Sequence, residues 1–228
     1  MHHFFTTEST APPVIPLLWY GVMVLLILMA VWASLRYYQN EQFRKIFRNL
    51  QIFQLICLYI WYFAFQLPWS NSLPLYHCRL AMFAVLLLPD RWKSKQFFAL
   101  MGVSGAIFAL GYPVFDPYTF PHITSFSFLL GHYCLLVNSL IYLLRRYDSS
   151  LLKNREIVLY TFFLDMFLVG VNQVTGGNYG LMARPPIIKG DSLLVNYVVV
   201  SSILAAALLL FNVFFSRRRE RVKVSNSI

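Results

Sequence analysis

The sequence predicts an all-α polytopic membrane protein, a seven transmembrane helix bundle with its N-terminus outside and its C-terminus cytoplasmic. Three observations predict it. Of the 228 residues, 58% are hydrophobic and 12% charged, where a soluble domain is about half apolar and about a quarter charged. The apolar residues come in separate stretches near the ~20 residues that a bilayer-spanning helix needs. The basic residues sit in short blocks between alternate stretches, as cytoplasmic loops require.

The spans follow in order. Residues 1–15 form an extracytoplasmic segment with no basic n-region, so no cleaved signal peptide is expected. The first span, 16–35, carries no charge, and the second, 46–67, is ended by Pro68. The third, 73–88, is short and entered through Pro74; the fourth, 97–112, is also short and contains glycine. The fifth is 121–144, the sixth 157–174 and the seventh 194–215, which closes a transmembrane domain of 16–215. Residues 216–228 are a basic cytoplasmic tail, suited to anionic lipid.

Loop charge sets the orientation. Sixteen of the 19 lysines and arginines fall on one side, in blocks at 36–48, 91–95, 145–155 and 217–223. The other side has Arg184 and Lys189, and Arg79 lies in the third span. This alternation needs an odd number of spans. It also means that the net charge of +10 does not point to nucleic acid. The three cysteines lie in apolar stretches without CxxC spacing, so neither a disulfide framework nor a zinc ribbon is indicated.

Chemistry gathers toward the outer ends of the spans. SLPLYHCRLAMF opens the third span with His77, Cys78 and Arg79 in a row, five residues or so from the outer surface. The fifth opens FPHITSFSFLLGHYC, with His122 at its mouth and His132 ten residues deeper. The sixth carries Asp165 and Asn172 on one face, seven residues apart. It leads into GGNYGLMARPP, with Asn178, Arg184 and glycines that demand special backbone angles. A carboxylate as deep as Asp165 has to be paired, hydrogen-bonded or neutral.

Each residue also has a plainer reading. Membrane cysteines usually pack as small hydrophobes, and Cys57 and Cys134 are read so. His132 is open to a packing role and His122 to a capping one. Arg79 either snorkels to the interface or holds a phosphate through its planar fork. No metal is expected, since no ligand pair has i, i+4 spacing. A retinal Schiff base has no lysine in the seventh span, and a G-x-S-x-G hydrolase motif is absent.

LPLYHC at 73–78, FPHITSFSFLLGH at 120–132 and N-x-x-x-G-x-NY at 172–179, followed by Pro185, resemble the YwaF-type family of bacterial integral membrane proteins. That family is related to the animal transmembrane protein 164 acyltransferases. The topology puts these residues in the outer half of a multi-pass protein, so the active site is expected toward the outer leaflet, and the resemblance implies the bacterial cell membrane. It implies a cysteine-dependent acyltransferase that moves a fatty acyl chain from a phospholipid donor to a lysophospholipid acceptor, without a cofactor. Cys78 is then the nucleophile, and His132 or His122 the base. Asn172 and Asn178 are candidates to bind the oxyanion or orient the histidine, and Arg79 and Arg184 to bind phosphate. A phospholipase-type hydrolase would use the same residues. A lipid or small-molecule transporter, or a receptor or assembly factor, would need no reactive thiol. The chain departs from the family's pattern at His77, usually aromatic or aliphatic, and at Gly180, usually bulkier.

Overall fold

A computed structural model describes residues 3–186 and 192–225, with side chains through 221. The expectations for Lys189, for the 187–191 part of the outer loop and for the end of the tail lie outside the described residues. The described residues hold eight α-helices and no strand. They are α1 (Leu17–Tyr37), α2 (Glu41–Ala64), α3 (Trp69–Ser72), α4 (His77–Leu87), α5 (Lys93–Gly111), α6 (Ile123–Arg146), α7 (Asn154–Thr175) and α8 (Leu193–Ser225), with a 3-10 turn at Tyr179–Leu181.

Six of these helices, α1, α2 and α5 to α8, are long and apolar enough to cross a membrane. They match six of the seven expected stretches. The third stretch differs: its helix spans only the 11 residues of α4. At 1.5 Å per residue that is about 16 Å, against roughly 30 Å of hydrocarbon. Proline is the cause. Leu73 precedes Pro74 and is extended (φ −69°, ψ 148°), because the proline ring disfavours the helical region for the residue before it. Leu88 precedes Pro89 and is extended for the same reason. Hydropathy counts these flanking residues as part of a span, although they are not helical.

Helices also outrun their apolar stretches. Asn40 caps α2 by accepting the Phe43 N–H at 2.9 Å, which starts the helix five residues before the apolar run. At the other end of the chain, α8 continues unbroken into the basic residues. α7 ends on Gly176, whose φ of +70° supplies the left-handed C-cap and whose N–H returns to Asn172 O.

The chain divides into two compact units, 1–67 with 105–141 and 68–104 with 142–228. In the first, Leu58, Trp61, Tyr62, Tyr118 and Ile123 form a core, with Phe4, Cys57 and Leu67 packed on it. Buried polar side chains join its helices, as is common where water cannot compete. Gln51 donates to Gln54 at 2.8 Å, and Gln54 donates to Ser127 on α6. The Tyr133 hydroxyl donates to Met23 O on α1 at 2.9 Å. Most apolar side chains of α1, among them Leu25, Leu28 and Met29, remain exposed, as lipid-facing residues would be.

In the second unit α7 packs against α8, α3 and the 3-10 turn. Basic residues are held at its loops: Lys95 donates to Leu88 O at 2.7 Å and pairs with Asp90 at 2.8 Å, and Lys93 pairs with Glu156 at 2.7 Å. Gln96 is fully buried and pairs with the backbone of Asp148 through both amide groups, at 3.0 and 2.9 Å. We predict that Gln96→Ala strands that backbone and costs about 1–3 kcal/mol. The thermal midpoint in detergent should fall; an unchanged midpoint would show that this loop is held by something else.

Candidate functional site

The second unit builds its site from the outer loop inward. Asn172, near the end of α7, clamps the backbone of Tyr179: its Nδ2 donates to Tyr179 O at 2.9 Å, and its Oδ1 accepts the Tyr179 N–H at 2.7 Å. Asn178 does the same for the next stretch. Its Oδ1 accepts from Ala183 N at 3.0 Å and Arg184 N at 2.9 Å, and its Nδ2 donates to Arg184 O at 3.1 Å. Both asparagines therefore hold the loop together through their side-chain amides. Tyr179 is fully buried. Its hydroxyl accepts the Leu73 N–H at 3.0 Å and donates to Trp69 O, so it pins the non-helical linker between α3 and α4.

That linker delivers His77, Cys78 and Arg79 as the first three residues of α4. Cys78 is thus in the first helical turn, and the residue is half-buried. First-turn N–H groups have no carbonyl one turn earlier to bond. Arg79 stays close to the linker: its guanidinium lies 5.0 Å from the centre of the Tyr76 ring and donates to Asn71 O at 3.4 Å. Arg184 is exposed.

Beside the thiol is an acid–imidazole pair. His77 Nε2 lies 2.6 Å from Oδ1 of Asp165 on α7. The Asp165 side chain is completely buried, and its Oδ2 has no hydrogen-bond partner among the described residues. Gly180 leaves room for this pair. It sits at φ +67°, and a Cβ there would fall 3.0 Å from His77 Cε1 and 2.9 Å from Leu168 Cδ1. The sequence signal for Asp165 was its depth in a span, which demands a partner. The partner's identity was not readable, since it lies 88 residues away.

The two histidines of the fifth expected span, His122 and His132, belong to the first unit and differ in kind. His122 is fully buried. Its Nε2 faces Thr6 O at 3.0 Å, so that nitrogen carries the proton, and Nδ1 accepts from Thr124 Oγ1 at 2.9 Å. Its ring stacks on Tyr118, with centroids 4.1 Å apart, and meets Trp61 edge-on. With both nitrogens hydrogen-bonded, His122 fastens the N-terminal segment to α6. His132 donates from Nδ1 to Phe128 O, one turn earlier, at 2.7 Å. That bond fixes the neutral tautomer with Nε2 as the basic nitrogen. Cys57 packs on the first unit's core and Cys134 is buried, in keeping with packing roles. Among the described residues no group of three histidine, cysteine or acidic side chains could hold a metal ion.

A sequence model described as the TMEM164 family matches residues 4–216. No curated protein and no solved structure matches. The geometry around Gly180 yields a direct test. We predict that Gly180→Ala, which adds a Cβ at a positive φ, lowers stability by more than about 1 kcal/mol. Denaturation of the purified variant measures this, and a wild-type midpoint would contradict the close packing of His77 against the loop.

Proposed function

The chain belongs to the TMEM164 family, and from that membership we propose that it is a membrane-embedded, cysteine-dependent phospholipid acyltransferase of the YwaF-type bacterial branch. The observation that carries the reading is the place of Cys78, a half-buried residue in the first turn of a short helix. In this reading Cys78 is the nucleophile and His132 the base, as the family resemblance implies: the thiol loses its proton and its sulfur attacks an ester carbonyl of a donor phospholipid. The tetrahedral adduct collapses, a lysophospholipid leaves, and a thioester remains on Cys78. A second lysophospholipid hydroxyl then takes the acyl group. Because Asn172 and Asn178 are engaged with the loop backbone, the oxyanion is assigned to the backbone N–H groups of His77 and Cys78 at the start of α4. Arg79 and Arg184 are assigned to the substrate phosphates.

Seven spans, an outside N-terminus and a site in the outer leaflet of the bacterial cell membrane belong to the same proposal. Its support is the basic block at 91–95, which would fall on the outer side if α4 did not cross. Because α4 is short, the linker at 73–76 completes the crossing, with Tyr179 satisfying its Leu73 N–H. Non-helical backbone is tolerated at membrane depth only where such partners exist. Reporter fusions should place the two termini on opposite sides of the membrane; termini on one side would mean six spans.

Intact-protein mass spectrometry should detect an acyl adduct on Cys78 when the purified protein meets vesicles of dioleoyl phosphatidylethanolamine and phosphatidylglycerol. Cys78→Ala and His132→Gln should abolish acyl exchange with lysophospholipid. His122→Gln should lower stability while the folded fraction still forms the adduct. Undiminished exchange in Cys78→Ala overturns the thiol mechanism and favours a transporter. Release of free fatty acid in place of exchange identifies a hydrolase.

A further inference from the structure

We infer that the His77–Asp165 pair is a second acid–base device, serving the deacylation half of the reaction by activating the acceptor hydroxyl. The inference rests on the Cys78 acyl-enzyme reading and adds to it a division of labour between histidines.

Three features support it. Asp165 Oδ1 holds His77 Nε2 at 2.6 Å, and a carboxylate can only accept, so Nε2 carries the proton and Nδ1 is the basic nitrogen. A buried carboxylate behind an imidazole fixes its tautomer and stabilises the imidazolium that forms on proton uptake. Next, Asp165 is fully buried with one oxygen unpartnered among the described residues. An arrangement built only for stability would satisfy both oxygens, because an unpaired polar atom in the interior is costly. Last, His77 adjoins Cys78 in the first turn of α4, and adjacent helical residues point about 100° apart. An imidazole turned that far from the sulfur is poorly aimed at the thiol proton. It is better aimed at a third body approaching a carbonyl already attached to that sulfur.

The step balances. The acceptor's hydroxyl oxygen bonds to the thioester carbonyl carbon while its proton passes to His77 Nδ1. The tetrahedral adduct collapses, the C–S bond breaks, and the sulfur leaves with the electron pair. His77 then releases that proton to water and the departing thiolate takes one up from water, which restores neutral His77 and the Cys78 thiol. His77 is the catalytic residue for this step, and Asp165 is a positioning residue acting through it.

His77→Gln is the informative variant, since the glutamine amide can still donate to Asp165 but has no nitrogen able to take a proton. Asp165→Asn keeps the shape and removes the charge. The full-length wild type and both variants would be given the same vesicles, then deuterated lysophospholipid, while the Cys78 adduct and the transferred product are followed separately. Melting in detergent controls for folding. We expect His77→Gln to acylate normally, accumulate the thioester and transfer at least about 100-fold more slowly, the lower end of what a general base contributes. Asp165→Asn should show the same pattern with a smaller loss. Transfer at the wild-type rate in both variants overturns the inference while leaving the Cys78 reading in place. So does a parallel loss of acylation and transfer with no accumulated adduct, which would mark the pair as structural. If the wild type itself exchanges acyl chains without any Cys78 adduct, the acyl-enzyme reading fails and this inference fails with it.

Discussion

The constraint on which the second unit depends is that backbone leaving a helix in an apolar setting must find partners for its polar groups. Pro68, Pro74 and Pro89 break the chain into short pieces there, and the residue before each later proline is forced out of the helix. One buried tyrosine answers the problem. Tyr179 takes the Leu73 N–H and gives its own proton to Trp69 O. Its backbone is in turn gripped at both ends by Asn172. Each bond contributes modestly, about 0.5–1.5 kcal/mol net, but breaking any one leaves a buried group stranded at a higher cost. The start of α4 is therefore positioned by the loop after α7, and the site is a consequence of how that loop is satisfied.

The same logic separates what could be read in the chain from what could not. Hydropathy and charge alternation find long helices because burial in lipid imposes one requirement on every residue of a span; α1, α2 and α5 to α8 were legible in this way. The third stretch misled because hydropathy scores Leu73 and Leu88 identically whether or not they are helical. His122 and His132 occupy one motif and differ only in their neighbours. That Thr6, 116 residues away, caps one of them is a property of the fold. Asn172 and Asn178 were legible as important, and their chemistry as amides was consistent with an oxyanion role. Only the path of the loop shows that their hydrogen bonds are committed to it. Glycines at Gly176 and Gly180 were expected at unusual angles and have them.

The pairing of His77 with Asp165 raises a question of cost. A buried carboxylate held by one hydrogen bond to an imidazole is a weak source of stability, because desolvation offsets much of the attraction, and well-packed apolar residues of similar volume often serve as well. Removing one member, by contrast, leaves an uncompensated buried charge and costs about 3–5 kcal/mol. The pair is therefore easy to lose together and hard to lose singly.

Gly180 sharpens this point. A glycine adds conformational entropy to the unfolded chain and so costs roughly 0.5–1 kcal/mol against alanine in ordinary backbone. Here it is required twice over, by its φ of +67° and by the His77 ring that a Cβ would meet at 3.0 Å. His77 and Gly180 are thus neighbours in space. A larger residue at 180 needs the imidazole gone, and without the imidazole Asp165 has no partner. Three residues on three segments thus form one unit that adds little stability and restricts what each position can hold. In the proposed function this unit has a use, because His77 is next in sequence to Cys78 and acyl transfer needs a group that takes a proton and gives it back.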